Sequence, residues 1–301
     1  MRRDAACYFL ISQAKTSDTA SVRAAVATRA CRILIAIALV VGFSITAFLE
    51  SARAQKLDAR YAITMTGIRV GQSTWKAEIG EERYSAEASG GSVDLMSIFT
   101  KGEGSAQASG AVKDAALVPA IFSSTMIDDG EKSEIKMILE EGTVTDVMDK
   151  GQAPADRVPL REEHMRGVTD PLSALLLANN PSGGGLSRQT CERTLAIFDG
   201  RRRYDLALSF KGMQELTRNP YEGRALVCNL VLRPIAGHRP NSMVLKYIAG
   251  RRDIEIAFAP MAGARYLAPL RLTVPTLLGT IAIEATQFDT APLPAPDTKP
   301  Q

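Results

Sequence analysis

The chain has 301 residues, of which 46% are hydrophobic and 23% are charged, enough apolar sequence for one large or two ordinary domains with a buried core. It contains 36 basic and 33 acidic residues; the first 54 residues hold seven of the basic and three of the acidic ones, which leaves 29 and 30. The remainder therefore has a net charge near −1, so nothing in its charge suggests nucleic acid as a partner, which would need a strongly basic face.

The first 54 residues have the layout of a secretory signal peptide. Arginines lead into an uncharged, mostly apolar run over residues 33–48, and the small-x-small site Ala52-Arg53-Ala54 follows three residues later. The alternative is a retained transmembrane anchor, but this run of 16 residues is shorter than the roughly 20 that span a bilayer. We predict a signal peptide over 1–54, a periplasmic protein, and membrane contact only through the uncleaved segment.

From Gln55 onward, short runs that alternate between apolar and polar residues are separated by turn residues. In residues 61–65, Tyr61, Ile63 and Met65 share one face, and this period of two is typical of a half-buried strand. Asp129-Gly130 joins two further runs into a predicted hairpin. Counting such runs predicts about ten to twelve strands.

One segment has the pattern of a helix. Asp170 can cap it, Pro171 suits its first position, and the pattern ends by Asn179. The glycine-rich stretch at 182–185 is either a loop back to the same sheet, which we favour, or a domain linker. Residues 291–301 contain four prolines in eleven residues, so we predict a disordered tail over 289–301.

These elements predict a mainly β fold in a single domain over residues 55–288. A strand set of this size with one-sided apolar faces favours a curled antiparallel sheet, either a barrel or a half-barrel, with one short helix. Residue types that carry chemistry are few. His164 and His238 are isolated, and the HExxH, GxSxG and phosphate-loop patterns do not occur. We therefore predict no catalytic residue, no metal site and no cofactor.

Cys191 and Cys228 are the two cysteines that remain after the presequence, and in an exported chain such a pair is read as a disulfide. If Asp199-Gly200 is a two-residue turn, Cys191 pairs with Leu208, and one strand then separates the cysteines. Their Cα atoms would lie roughly 10 Å apart, whereas a disulfide spans less than about 7 Å. The bond, which we favour over two buried thiols, requires Cys191 to precede the strand or the sheet to curve strongly.

The same predicted turn gathers charged residues. Arg201, Arg202 and Arg203 follow Asp199 at the end of the hairpin. They are either a contact for an anion or lipid headgroup at the rim of a barrel or a solvated turn. The candidate binding surface comprises Asp199, Arg201, Arg202 and Arg203.

Several segments resemble a family of exported bacterial proteins catalogued as domain of unknown function 3108. They are residues 61–71, Phe-Asp-Gly-Arg-Arg-Arg-Tyr-Asp-Leu at 198–206, Tyr221-Glu222-Gly223 followed by Cys228, and residues 269–279. The resemblance spans roughly residues 61–288. It implies a β-rich periplasmic domain without an assigned enzyme activity, so no catalytic residue is transferred.

We predict a non-enzymatic periplasmic protein that binds a lipophilic ligand or an envelope protein in cell-envelope maintenance. Inward apolar residues such as Tyr204, Leu206 and Leu230 would line a ligand cavity or fill a core.

Two alternatives remain open. An envelope-polymer hydrolase would use two converging carboxylates among Asp199, Asp205 and Glu222 as acid and base. A purely structural domain would pair a sheet edge with another envelope protein.

Overall fold

Strands dominate the structure because alternating apolar and polar residues recur along almost the whole chain. The computed structural model describes residues 55–92, 102–128, 130–151, 156–179 and 185–292, which fall within one compact unit, Ala52–Gln301. The strands are β1 (Gln55–Met65), β2 (Ile68–Ile79), β3 (Arg83–Ser92), β4 (Glu103–Lys113), β5 (Ala116–Asp128), β6 (Glu131–Glu140), β7 (Thr143–Lys150), β8 (Leu177–Ala178), β9 (Arg193–Phe198), β10 (Arg203–Arg218), β11 (Tyr221–Ala236), β12 (Ile254–Pro260), β13 (Tyr266–Thr276) and β14 (Gly279–Pro292). The helices are α1 (Pro171–Ala174), α2 (Met243–Gly250) and two 3-10 helices (Glu162–Met165 and Arg188–Cys191).

The strands form one antiparallel sheet in the order β7-β6-β5-β4-β3-β2-β1-β14-β13-β12-β11-β10-β9, with β8 attached to β13. Within the described residues no ladder joins β7 to β9, so these two strands are the edges of an open sheet. The predicted curled antiparallel sheet is confirmed in its half-barrel form. The closed barrel is wrong.

Burial on both sides of β11–β13 shows how the sheet curls. Tyr61 and Trp75, on β1 and β2, belong to a large core cluster that also contains the small side chains Ala225 and Ala259 of β11 and β12. The next residue after Ala225, Leu226, belongs to a second cluster. Alternate side chains of these strands therefore point to different faces of the sheet and enter different clusters. The burial of apolar side chains on both faces favours a curled sheet.

A short segment crosses the gap between the two sheet edges. The Val168 N–H donates to the Gly142 carbonyl in the β6–β7 turn, at 2.9 Å. The Thr169 N–H donates to Ala196 O at 2.9 Å, and the Phe198 N–H donates to Thr169 O at 3.0 Å, which makes an isolated parallel bridge to β9. Phe198 also packs in a third core cluster with inner side chains of β4–β7. The edges are thus held near each other without a continuous ladder.

Helix α1 begins where the sequence predicts. Oδ1 of Asp170 accepts the backbone N–H groups of Leu172 and Ser173, at 2.9 and 3.0 Å. The Ser173 hydroxyl lies 2.6 Å from the Tyr84 hydroxyl, which ties the helix to β3. The helix ends after one turn, at Ala174, earlier than predicted, because Leu177 and the residue after it pair with β13.

Two boundaries differ from the predictions, and a second helix is present. Helix α2 was not predicted; the Ser242 hydroxyl caps it by accepting the Leu245 N–H at 3.2 Å. Strand β14 extends to Pro292, which pairs with Gln55, so residues 289–292 are strand and not part of the predicted disordered tail; residues 293–301 lie outside the described residues. The predicted signal peptide, Asp129 of the predicted hairpin and residues 180–184 lie outside the described residues. Within the described ranges, no helix has both the length and the hydropathy needed to cross a bilayer.

The buried carboxyl group of Asp170 predicts a pH dependence of stability. Burial raises the pKa of this group, whose Oδ2 has no hydrogen-bond partner among the described residues. Its folded pKa therefore lies above the unfolded value of about 3.9. The associated stability is complete below that pH and is lost as the pH rises through the folded pKa.

We expect Asp170→Asn, which keeps the capping oxygen, to match the wild type below about pH 4 and to be more stable at neutral pH. Urea unfolding of both proteins across this pH range measures the difference. A wild type that is the more stable of the two at neutral pH would contradict the assignment.

Candidate functional site

The turn between β9 and β10 has four residues, 199–202, because Phe198 pairs with Arg203. The predicted two-residue turn is therefore wrong, and the register shifts by two residues. Oδ1 of Asp199 accepts the backbone N–H groups of Arg201 and Arg202, at 2.9 and 2.7 Å. The Asp199 N–H donates to Arg202 O at 3.1 Å. These side-chain bonds stabilise the longer turn, and a shift of two residues leaves the predicted faces unchanged.

The three arginines at this turn, Arg201, Arg202 and Arg203, have different partners. The Arg201 guanidinium binds both carboxylate oxygens of Asp149 on β7, with Nε 2.9 Å from Oδ2. This hydrogen bonding to Asp149 raises the pKa of Arg201. Nε of Arg202 lies 2.9 Å from Oδ2 of Asp199, and Nη1 of Arg203 lies 2.5 Å from Oδ1 of Asp205. Arg201 thus ties the turn to the opposite edge of the sheet.

Gly237, just after β11, packs directly on this turn. It has φ +77°, and a Cβ added there would lie 1.9 Å from the carbonyl oxygen of Arg201. The Gly237 N–H donates to Val158 O at 2.8 Å, and the Val158 N–H donates to His238 O at 2.9 Å. This pairing places Arg157 beside His238, at the mouth of a cavity.

The cavity has a volume of about 740 Å³ and lies between the β9–β10 turn, the end of β11 and helix α2. Its lining contains both guanidinium groups and apolar side chains. The guanidinium groups include Arg157, Arg202 and Arg239, and the apolar side chains include Leu232, Pro234, Val244, Leu245 and Ile248.

Several basic side chains that line the cavity can still bind a ligand, because carboxylates do not fully occupy their hydrogen-bond donors. Among the described residues Arg157 has no ion pair. Arg202 binds Asp199, but 61% of its side chain is still exposed to solvent. Arg239 reaches Asp156 at 3.4 Å, and both side chains are mostly exposed. Nδ1 of His238 is buried and has no hydrogen-bond partner in the part of the chain that the structure describes. The arrangement can bind an anionic group beside an apolar wall.

The disulfide between Cys191 and Cys228 is confirmed, with a Cα–Cα distance of 5.6 Å. Cys191 ends the 3-10 helix Arg188–Cys191 and therefore precedes β9; it does not pair with Leu208. This is one of the two arrangements that the sequence pattern requires for the bond. Both cysteines are completely buried. The bond fastens the start of the β9–β10 hairpin to the middle of β11.

The three carboxylates proposed for an acid–base role are not arranged as predicted. Asp199 and Asp205 are each bound by an arginine, and Glu222 is at the other end of the sheet, opposite Thr217. The strand between Asp205 and Thr217 is about 40 Å long at 3.3 Å per residue. Of the predicted pairs of converging carboxylates, those that include Glu222 are therefore wrong. No group of three or more metal-ligating side chains occurs within the described ranges.

The protein-family model described as "Protein of unknown function (DUF3108)" matches residues 60–286. The chain belongs to this family. No curated protein matches the chain. Among solved structures, the crystal structure of a beta-barrel-like protein of domain of unknown function DUF1849 from Brucella abortus is similar at 9% identity. The match covers 79% of this chain and 98% of that one with a TM-score of 0.43, a level that carries no argument.

The DUF3108 motifs quoted from the sequence contribute to different parts of the molecule. The segment 198–206 contains the turn 199–202, which we call the arginine turn, and contributes Tyr204 to the cavity. The segment Tyr221-Glu222-Gly223 begins β11 at the opposite end of the sheet. Of the predicted inward residues, Tyr204 lines the cavity, while Leu206 and Leu230 pack in the core around the disulfide.

Sequence reasoning missed half of this site. Arg157, Arg239 and the apolar face of α2 were not predicted as contributors. Only two signals could have drawn attention to them: the His238-Arg239 pair in a loop and the Ser242 cap that follows it. Neither signal indicates that Arg157 lies nearby.

Proposed function

We propose that this member of the DUF3108 family is an exported, non-enzymatic protein that binds an anionic amphiphile, a lipophilic molecule with a carboxylate or phosphate group. The binding would serve maintenance of the cell envelope. The observation that carries the proposal is the cavity lined by both guanidinium groups and apolar side chains.

The volume of the cavity and the two kinds of side chain that line it favour such a ligand. A volume of about 740 Å³ is within the range of roughly 300–1,000 Å³ typical of small-molecule sites. The planar forks of Arg157, Arg202 and Arg239 match the oxygens of a carboxylate or phosphate. Leu232 and Ile248 would contact a hydrocarbon chain, which gains free energy by leaving water.

Export is supported by two independent features. The buried Cys191–Cys228 disulfide is of a kind that persists in oxidising compartments and is rare in the cytosol. The first 54 residues have the composition of a signal peptide. We propose the periplasm as the compartment.

Dodecyl phosphate is a suitable probe for the cavity. We expect Arg157→Gln/Arg239→Gln to weaken its binding roughly 10- to 100-fold, because two charge-assisted contacts are lost. Isothermal titration calorimetry on protein recovered from the periplasmic fraction measures the change, and intact mass identifies its N-terminus. Arg218→Gln, an exposed arginine at the far end of β10, is the matched control and should bind the probe like wild type.

Two further ligands separate the contribution of the arginines to binding from that of the apolar side chains. Dodecanol lacks the anionic group and inorganic phosphate lacks the chain, so each should bind far more weakly than dodecyl phosphate. Equal binding of dodecyl phosphate by wild type and by the double arginine variant would overturn the proposed site. Absence of binding to the wild type would overturn the ligand proposal and favour an envelope protein as the partner.

A further inference from the structure

One end of the molecule has several large apolar side chains that are mostly exposed to solvent. The four most exposed large hydrophobic residues in the described ranges are Leu278 at 80%, Met243 at 74%, Ile68 at 68% and Val244 at 57%. Leu277, beside Leu278, is 52% exposed. The other four exposed large apolar residues in the described ranges lie on β5–β7; they are Ile121, Met126, Ile138 and Met148. Single exposed apolar residues are ordinary, but a group of five in one region marks a surface that binds something.

Chain topology brings these residues to the same end of the sheet. The Thr66 N–H donates to Thr280 O at 2.8 Å, so the turn before Ile68 lies beside the turn that contains Leu277 and Leu278. Helix α2, which carries Met243 and Val244, contacts β13, and β13 leads directly into Leu277. We call residues 68–69, 243–252 and 277–278 the apical surface.

The turns at the opposite end of the sheet lack this character. They consist of polar and small residues and contain no exposed large apolar side chain. The turns compared are Gly80-Glu81-Glu82, Asp114-Ala115, Glu141-Gly142 and Asn219-Pro220. The apolar group is therefore specific to one end and is not a general property of turns in this chain.

The apical surface is also basic. It contains Arg69, Lys246, Arg251 and Arg252, and the neighbouring acidic residue Asp253 pairs with Arg251. Lys246 and Arg252 form no ion pair with any described residue; Arg252 donates only to the backbone carbonyls of Ala249 and Arg251. These two side chains therefore leave positive charge on the apical surface that no described carboxylate neutralises.

We infer that the apical surface docks on an anionic phospholipid bilayer. Apolar side chains at the tips of turns and on α2 would enter the interface between headgroups and acyl chains, and the long basic side chains would meet lipid phosphates. This contact belongs to the folded domain, whereas the sequence predicts membrane contact only through the presequence. It also goes beyond the proposed function: Val244 belongs both to the apical surface and to the cavity wall, so the cavity opens beside the bilayer.

Charge complementarity favours a bilayer over other occupants. The exposed apolar residues sit next to two separate turns and on a helix, and the same segments carry basic side chains. They present no free strand edge for another chain to pair with. Lys and Arg side chains suit this position because their stems lie along apolar surface while their charged ends reach headgroups.

Co-sedimentation with vesicles tests the inference. Vesicles of phosphatidylcholine alone are compared with vesicles in which about a third of the lipid is phosphatidylglycerol. We expect the wild type to sediment with the anionic vesicles and to be released by salt, which screens the charges. Leu277→Ser/Leu278→Ser should lower the partition coefficient roughly 100-fold, since each leucine side chain contributes about tenfold. Lys246→Gln/Arg252→Gln should lower it by roughly 10- to 30-fold.

Matched controls are Ile121→Ser, an exposed isoleucine on β5, and Arg218→Gln at the opposite end; both should bind like wild type. Absence of binding to anionic vesicles, or binding that the apical variants leave unchanged, would overturn the inference. Self-association of the wild type that Leu277→Ser/Leu278→Ser abolishes, measured by sedimentation velocity without vesicles, would assign the surface to a second copy instead. Dodecyl phosphate binding is measured without vesicles, so the proposed function and this inference can fail separately.

Discussion

Gly237→Ala is expected to lower the free energy of unfolding by about 2–4 kcal/mol and to disturb the arginine turn. Alanine adds the strain of a left-handed backbone, at φ +77°, to a contact of 1.9 Å between its Cβ and the carbonyl oxygen of Arg201. Because that oxygen belongs to the backbone, the turn must move to relieve the contact. Urea unfolding measures the loss of stability.

Gly67→Ala is the matched control. Gly67 has a similar φ of +83°, but a Cβ added there meets no atom within 4 Å. Its cost should therefore be only that of the backbone conformation, about 1 kcal/mol. Dodecyl phosphate affinity should fall in Gly237→Ala and remain unchanged in Gly67→Ala. Equal destabilisation by the two substitutions would show that Gly237 does not support the turn.

Removal of the disulfide is expected to have an effect of similar size. The bond closes a loop with a sequence separation of 37 residues. Loss of the constraint on the unfolded chain should lower the free energy of unfolding by about 3–4 kcal/mol. Cys191→Ala/Cys228→Ala is compared with the wild type in oxidising and reducing buffer.

Two comparisons make this result specific. Reduction should destabilise the wild type by about as much as the double substitution does and should leave the double variant unchanged. Since both cysteines are completely buried, a small extra cost from the lost sulfur contacts is expected in the variant alone. A wild type that unfolds identically in both buffers would show that the bond does not stabilise the protein.

The arginine turn illustrates how far sequence patterns reach. The alternation along β10 correctly assigns Tyr204 and Leu208 to the inner face, because parity is unchanged by a register shift of two residues. The register itself was missed, since it depends on Asp199 accepting two backbone N–H groups, and Asp-Gly is equally compatible with a two-residue turn. The same shift, with Cys191 in a 3-10 helix, removes the predicted obstacle to the disulfide.

The cavity was less accessible to sequence reasoning. Arg157 and His238 are far apart along the chain, and only the pairing of Val158 with the end of β11 brings them together. Helix α2 has eight residues, too few for a helical period to stand out from the apolar runs of neighbouring strands. The inclusion of Glu222 among the converging carboxylates was wrong for a related reason: the composition of residues 199–222 does not reveal that Glu222 lies at the far end of two long strands.

The sequence by itself determined the β class, the inward faces of the strands, the Asp170 cap, the cysteine pair and the family. Each of these depends on residues within a few positions of one another or on motifs that are read directly. The tertiary structure alone decided that the sheet stays open and that Arg201 reaches Asp149 across its edges. It also decided that the basic turn and the apolar side chains of α2 line the same cavity. These features depend on which distant strands meet when the sheet curls, and burial summed over the whole sheet determines that, whereas local patterns do not.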